Sequence, residues 1–153
     1  MNFIRPLLLA GFTAASLASS GAMAADHQVE MMNKGPNGKA MQFDPAFLKI
    51  EPGDTVTFVP KDKGHDSMSI DGMLPEGAEP WKGKINEQIT VTFTKPGLYG
   101  YKCQPHYGMG MVGLIEVGGD TSNLESLKAV KVVGAAKKRM ADLFEQAAGS
   151  AAQ

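Results

Sequence analysis

One cysteine in 153 residues leaves Cys103 without a partner in its own chain, which excludes a disulfide framework. Charge of one sign is also missing. Fifteen Lys plus Arg stand against 16 Asp plus Glu, a net charge of -1, so the chain lacks the basic surplus that phosphate contacts demand and nucleic acid is excluded as its main partner. No apolar run approaches the roughly 20 residues of a membrane span and no internal repeat is visible, which removes multispan and solenoid architectures. Aromatic residues make up only 7%, against 43% hydrophobic and 20% charged, the balance of an ordinary soluble globule of about one domain. What is abundant is punctuation: 18 Gly and 9 Pro are enough for many short strands joined by tight turns.

The amino-terminal stretch reads as an export signal over residues 1–24. Arg5 gives a positive start, Leu7-Leu8-Leu9-Ala10-Gly11-Phe12 an apolar stretch too short and too diluted to span a bilayer, and Ala22-Met23-Ala24 an A-x-A cleavage site. There is no twin arginine, so the general secretory route is expected, with a periplasmic protein free of the membrane after cleavage. Removing residues 1–24 deletes Arg5 and no acid, leaving 129 residues with 14 basic against 16 acidic side chains. In an oxidising compartment an unpaired thiol is buried, paired between chains or held by a metal.

Residues 25–119 carry the period-two pattern of a sheet packed on one face. Val29 and Met31 alternate, Thr55 to Pro60 follows the turn Glu51-Pro52-Gly53-Asp54, and Ile89, Val91 and Phe93 alternate with threonines. After the turn Lys95-Pro96-Gly97, the residues Tyr99, Tyr101 and Cys103 share a face, and Gly110 to Val117 supplies a last strand. This spacing of turns predicts an all-β sandwich. Residues 120–153 turn to Ala, Leu, Lys and Glu and predict a helical extension packed on the same domain. Ser122 to Glu125 fits a capping box for a short helix. A second helix after Gly134 places Ala136, Met140, Leu143, Phe144 and Ala147 in one stripe and is expected to fray from Ala148. His27 is expected to be a solvated side chain.

The loop Cys103-Gln104-Pro105-His106-Tyr107-Gly108-Met109-Gly110-Met111 offers a thiolate, an imidazole and a thioether, and His65 follows the Thr55 to Pro60 strand. Two loops at one end of a sandwich converge, and a cysteine sulfur with two histidine nitrogens and a weak methionine is the ligand set of a blue-copper electron-transfer site. Zinc suits the set less well, because thioethers are poor zinc ligands. His65, Cys103 and His106 are the candidate strong ligands, and Met109 and Met111 are both in reach of the weak position. A cysteine hydrolase built on Cys103 and His106 lacks an orienting third group and a pocket for substrate, so the chain is not expected to be an enzyme. A copper-binding or copper-transfer module without an electron-carrier role is the alternative to a carrier.

With those residues in place, the mature chain resembles the pseudoazurin branch of the cupredoxin family, bacterial periplasmic type I copper proteins. The resemblance runs through Met32-Asn33-Lys34-Gly35, Pro52 to Phe58, Asp62-Lys63-Gly64-His65, Pro75 to Glu79, Lys84-Ile85-Asn86-Glu87 and Cys103 to Ile115. It implies an eight-stranded Greek-key sandwich with two C-terminal helices, a monomer holding one type I copper ion, and Met111 rather than Met109 as the axial ligand. It also implies His106 as the electron port, with Pro105, Met109 and Met41 in an apolar patch around it. Lys34, Lys63, Lys82, Lys84 and Lys102 resemble the family's lysine ring for docking acidic redox partners. Those partners include copper nitrite reductase and c-type cytochromes, which links the protein to denitrification.

The chain departs from the family pattern at Asp66, usually Asn, and at Gln104, usually Thr. An ionised Asp accepts hydrogen bonds but cannot donate them, whereas Gln supplies an amide donor, so the Gln104 side chain is expected to bond Asp66 across the two ligand loops. The Asp66 backbone N–H is expected to point at the Cys103 sulfur. Glu30 stands where the family often has His, Trp81 where Phe is common, and the Lys39 region is one residue longer.

Overall fold

The computed structural model describes residues 23–150, so nearly all of the expected export signal lies outside the described residues. Among the described residues, eight strands and two α-helices follow one another. The strands are β1 (Asp26–Lys34), β2 (Ala40–Asp44), β3 (Phe47–Ile50), β4 (Thr55–Pro60), β5 (Met68–Ser69), β6 (Ile89–Thr92), β7 (Gly97–Lys102) and β8 (Val112–Val117). The helices are α1 (Leu124–Lys128) and α2 (Ala136–Ser150). They build two four-stranded sheets, in the orders β2-β1-β4-β6 and β3-β8-β7-β5, the β-sandwich expected from the turn spacing.

Alternation decides what each face buries. In β7, Tyr99 and Tyr101 turn toward the other sheet with Cys103 just beyond them, while Leu98 faces the helices; in β8, Ile115 and Val117 face inward, Val112 and Leu114 outward. Every residue of β8 is therefore buried, because both faces are covered. The core between the sheets joins Val29, Met31, Phe43, Val56 and Phe58 of the first sheet, and Phe93 just beyond β6, to Tyr101 of the second sheet and to Trp81, with the rings packed edge to face or stacked. Trp81 keeps its indole N–H satisfied on Ser67 Oγ at 3.1 Å, so the larger ring brings no orphaned donor into the core. Gly113 is required by close approach: a Cβ there would meet the Tyr101 ring at 2.1 Å.

The α2 stripe is buried as expected, with Ala136, Met140, Leu143, Phe144 and Ala147 packed on the outer face of the β7–β8 sheet. The helix continues through Ser150, beyond the expected fraying point at Ala148. Three further expectations are corrected. The last strand begins at Val112, because Gly110 and Met111 belong to the preceding loop. The capping box does not form: Asn123 is the N-cap of α1, and its side chain instead pairs with Leu98, accepting from Leu98 N at 2.9 Å and donating to Leu98 O at 2.9 Å. β5 is only two residues long and pairs with Ser69 opposite Tyr101, so the main chain of Leu98 has no strand neighbour on that edge and the Asn123 amide takes its place. His27 is half-buried, with Nε2 2.8 Å from Asp54 Oδ2. Glu30 pairs with Lys61 at 3.0 Å.

Candidate metal centre

His65 lies on the loop that leaves β4, and Cys103 and His106 on the loop between β7 and β8. The second loop is closed by its own main chain. Cys103 N–H donates to Met111 O at 3.0 Å, and the N–H groups of Met109 and Met111 both donate to His106 O at 3.1 Å, around a single 3-10 turn over Tyr107–Met109. The first loop is held by Asn86, whose backbone N–H reaches His65 O at 2.9 Å while its Oδ1 accepts from Gly64 N at 2.6 Å.

These two loops bring Cys103 Sγ to 3.6 Å from His65 Nδ1 and 3.5 Å from His106 Nδ1, with the two nitrogens 3.1 Å apart. Bonds of about 2.0–2.1 Å to nitrogen and about 2.3 Å to sulfur, arranged in a plane, separate their donor atoms by about 3.5–3.8 Å. Both nitrogen–sulfur edges have that length and the nitrogen–nitrogen edge is slightly shorter, so the three atoms fit one metal ion between them. They form the one cluster of three or more potential metal-binding side chains among the described residues. Met111 is fully buried in the same core cluster, whereas the side chain of Met109 is 52% exposed.

The electrostatics leave the donors ready for a cation. Burial holds the pKa of His65 below its usual value, with His106 adding to the effect and Asp62 and Asp66 opposing it, so the imidazole is neutral. Its Nε2 lies 3.0 Å from Asn33 Oδ1, which places the proton there and leaves the Nδ1 lone pair facing Cys103 and His106. Burial pushes the Cys103 thiol up to about 11, against the pull of backbone N–H groups of Asp66 and His106 that hydrogen-bond the sulfur. The thiolate therefore needs a metal to form at neutral pH.

The expected Asp66 N–H contact to sulfur is present, but the bridge between the loops takes another form. Asp66 Oδ1 accepts from the backbone N–H of Gln104 at 2.7 Å, while the Gln104 side chain is exposed. The main-chain donor lies inside the joint and the longer side chain is left to solvent. Lys34, Lys63, Lys82 and Lys84 are exposed, as are Pro105 and Met109, and His106 and Met41 are half-buried. Lys102 is half-buried with its ammonium 4.7 Å from the centre of the Tyr107 ring.

Three contributors went unassigned in the sequence: Asn33, Asn86 and Arg139. Arg139 of α2 donates from Nη1 to Met41 O at 2.7 Å and Gly110 O at 3.0 Å, and from Nη2 to Ala40 O at 2.7 Å. One side chain thus ties the helix to the ligand loop and to Met41, which takes a left-handed φ of 49°. Gly134, just before α2, comes so close to the same loop that a Cβ would lie 2.3 Å from Gly108 O, and Ala135 N–H donates to that carbonyl at 2.9 Å. The available signal was composition, since Arg139 is the one arginine after Arg5 in a chain otherwise served by lysine.

The profile of the copper-binding plastocyanin/azurin family matches residues 29–118. The chain is 53% identical over 138 residues to pseudoazurin of Paracoccus pantotrophus, covering 90% of this chain and 94% of that protein. It is 44% identical over 147 residues to pseudoazurin of Methylorubrum extorquens, covering 95% and 99%. The solved structure of a pseudoazurin from Sinorhizobium meliloti superposes with a TM-score of 0.78 at 53% identity, over 80% of this chain and 95% of that one.

Proposed function

Since the chain belongs to the plastocyanin/azurin family of copper-binding proteins, and is thereby a blue copper electron-transfer protein and not an enzyme, we propose that it shuttles single electrons through the periplasm between transiently bound redox proteins. His65 Nδ1, His106 Nδ1 and Cys103 Sγ are the strong ligands of one copper ion in this reading, and Met111 is the weak axial one. When bound, the ion supplies a Cu(I)/Cu(II) couple. The convergence of the three donor atoms carries the reading. Asn33 and the Asp66–Gln104 bridge hold the ligands in place, so little has to move as the charge changes. Burial of Cys103 and Met111 favours a retained ion over a delivered one, against the copper-transfer alternative.

Export by the general secretory pathway, with cleavage after Ala24, is part of the proposal. Among the described residues no helix is long and apolar enough to cross a membrane. The electron leaves through His106, which shares its loop with Pro105 and Met109, and the exposed Lys34, Lys63, Lys82 and Lys84, with Lys102, surround the port as a docking face for an acidic partner. A copper nitrite reductase or a c-type cytochrome of a denitrifying chain is the proposed partner, with this protein acting as a monomer.

Lysines gathered on one face steer encounter even though the mature chain is slightly acidic, and the field is screened over about 8 Å at physiological salt. The second-order rate of electron delivery to an acidic acceptor, followed by stopped flow, therefore falls as ionic strength rises. A rate indifferent to salt removes the docking face from the proposal.

Asp66 tests the tuning of the site. Its buried carboxylate stands beside the sulfur and raises the cost of further negative charge there, so it stabilises the more positive ion. Asp66→Asn keeps an oxygen acceptor for Gln104 N–H and removes the charge. The reduction potential rises by on the order of 1–2 kcal/mol, roughly 40–90 mV for one electron. Voltammetry that gives an unchanged or lower potential contradicts this role.

A further inference from the structure

The start of β1 holds a second set of metal donors. β1 and β4 run parallel, with Asp26 opposite Thr55 and Met31 opposite Pro60, so Ala25 to His27 lie at the end of the sandwich away from the His65 loop, which follows β4. There Asp54 gathers three groups: Ala25 N donates to Oδ1 at 2.7 Å, Glu51 N donates to Oδ2 at 3.0 Å, and His27 Nε2 lies 2.8 Å from Oδ2. With Nε2 facing the carboxylate, His27 Nδ1 makes no hydrogen bond among the described residues and is the ring nitrogen open to a metal.

Cleavage after Ala24, on which this inference rests, turns the Ala25 nitrogen into a free amine. The new terminus then reads amine, Ala25, Asp26, His27. A histidine at the third position lets four nitrogens close around one ion: the amine, the amides of Asp26 and His27, and the imidazole Nδ1. Successive bites form two five-membered rings and one six-membered ring, all in one plane. Planar nitrogen sets select Cu(II) and Ni(II) over the other common divalent ions. We propose that the processed amino terminus is a second metal site, a planar four-nitrogen chelate for Cu(II) or Ni(II), separate from the sulfur-containing centre.

Asp54 is placed to support this site. A metal-bound imidazole that donates its other N–H to a carboxylate is the usual orienting arrangement for histidine ligands, and the His27–Asp54 contact already has that form. The pKa of Asp54 is lowered to about 2, first by the Ala25 N–H, then by His27 and the Glu51 N–H, so the carboxylate is ionised throughout the neutral range. His27 and Asp54 share a surface cavity with Glu51, Glu116 and Lys49, and three carboxylates against one ammonium draw in a divalent cation.

Forming the chelate opens the first two pairs of the β1–β4 ladder and leaves the rest of the strand in place. The Ala25 amine leaves Asp54 Oδ1, Ala25 O gives up its bond from Thr55 N–H at 2.9 Å, Asp26 gives up its bond from Thr55 Oγ1 at 2.6 Å, and the His27 amide, now a ligand, gives up its place in the ladder beside Thr55 and Val56. Ala25 and Asp26 are exposed, and the first buried residue of the strand is Val29, so the core keeps its packing. Binding expels the ammonium proton and two amide protons, so it weakens as pH falls.

The test uses the exported protein, loaded with copper and reduced until its blue colour is bleached, so that the sulfur centre is filled. Intact mass first fixes the amino terminus, and Ni(II) is then titrated in. The expected result is the d–d absorption of diamagnetic planar nickel, saturating at one equivalent. It is lost in His27→Asn and in a variant with one glycine inserted ahead of Ala25, while both variants recover the blue spectrum on reoxidation. A protein whose mass begins at Ala25 but which gives no planar band overturns the chelate. A band that survives in His27→Asn or in the glycine insertion overturns it as well. A mass that begins elsewhere also overturns the site, and does so through the processing step with the chelation chemistry left intact.

Discussion

The intense visible band of the copper-loaded protein disappears completely in Cys103→Ala, and with it the reversible bleaching by a one-electron reductant. The band requires charge transfer from a thiolate to Cu(II), and Cys103 is the single thiol in the chain. Its pKa near 11 means that the metal-free protein holds a protonated thiol at neutral pH, so loading releases a proton and the colour develops only as that proton leaves. The direction in pH follows. With a raised thiol pKa, proton and metal compete across the whole range below it, and apparent copper affinity falls by about tenfold for each unit of acidification. His65 adds no competition near neutrality, because burial lowers its pKa. The variant retains both imidazoles and loses one small buried side chain, so its circular dichroism stays that of the parent. A blue band that persists in Cys103→Ala sinks the ligand assignment, whereas a colourless variant beside a blue parent supports it.

The ligand loop was legible because its chemistry is local. Cysteine, histidine and methionine fall within nine residues, and the closing bond from Cys103 N–H to Met111 O is made inside the same segment. The α2 stripe and the alternation in β7 were legible for the same reason, since a period is a property of neighbours. What the sequence did not disclose are polar contacts between distant residues. Asn33 reaches His65 across 32 positions, and Arg139 reaches Ala40 across 99. The failed capping box shows why such contacts resist reading. Ser122 to Glu125 carries the local pattern, but Asn123 is recruited by the unpaired main chain of Leu98, whose need depends on the shortness of β5. Backbone acceptors look alike at every position, so a side chain that serves them leaves no partner residue to recognise. The Asp66 bridge is the same case: the carboxylate was identified, and its donor proved to be the main chain of Gln104 and not its side chain.

Arg139→Gln is expected to lower stability by on the order of 3 kcal/mol, because three carbonyl groups lose a charged donor and such bonds contribute about 1.5–3 kcal/mol each, less where they are exposed. For a chain of this size that displaces the melting midpoint by roughly 10 °C. The partners of Arg139 give the loss a second consequence. Gly110 lies one residue before Met111, and Met41 sits on a strained left-handed backbone that the guanidinium holds from one side. Without that fork, the ligand loop keeps the bond of Ala135 N–H to Gly108 O and the packing of Tyr107 on the apolar cluster that α2 joins, and the Met41 carbonyl loses the guanidinium as its donor. Stability and the copper spectrum therefore move together, with the stability loss seen in the metal-free protein too. Arg139→Lys recovers part of the melting midpoint and little of the spectrum, since one ammonium cannot span the three carbonyls in the geometry of a planar fork. A glutamine variant that melts within about 2 °C of the parent, on a scale of about 4 °C per kcal/mol, shows that the three bonds are dispensable and that the helix is held by its apolar stripe alone.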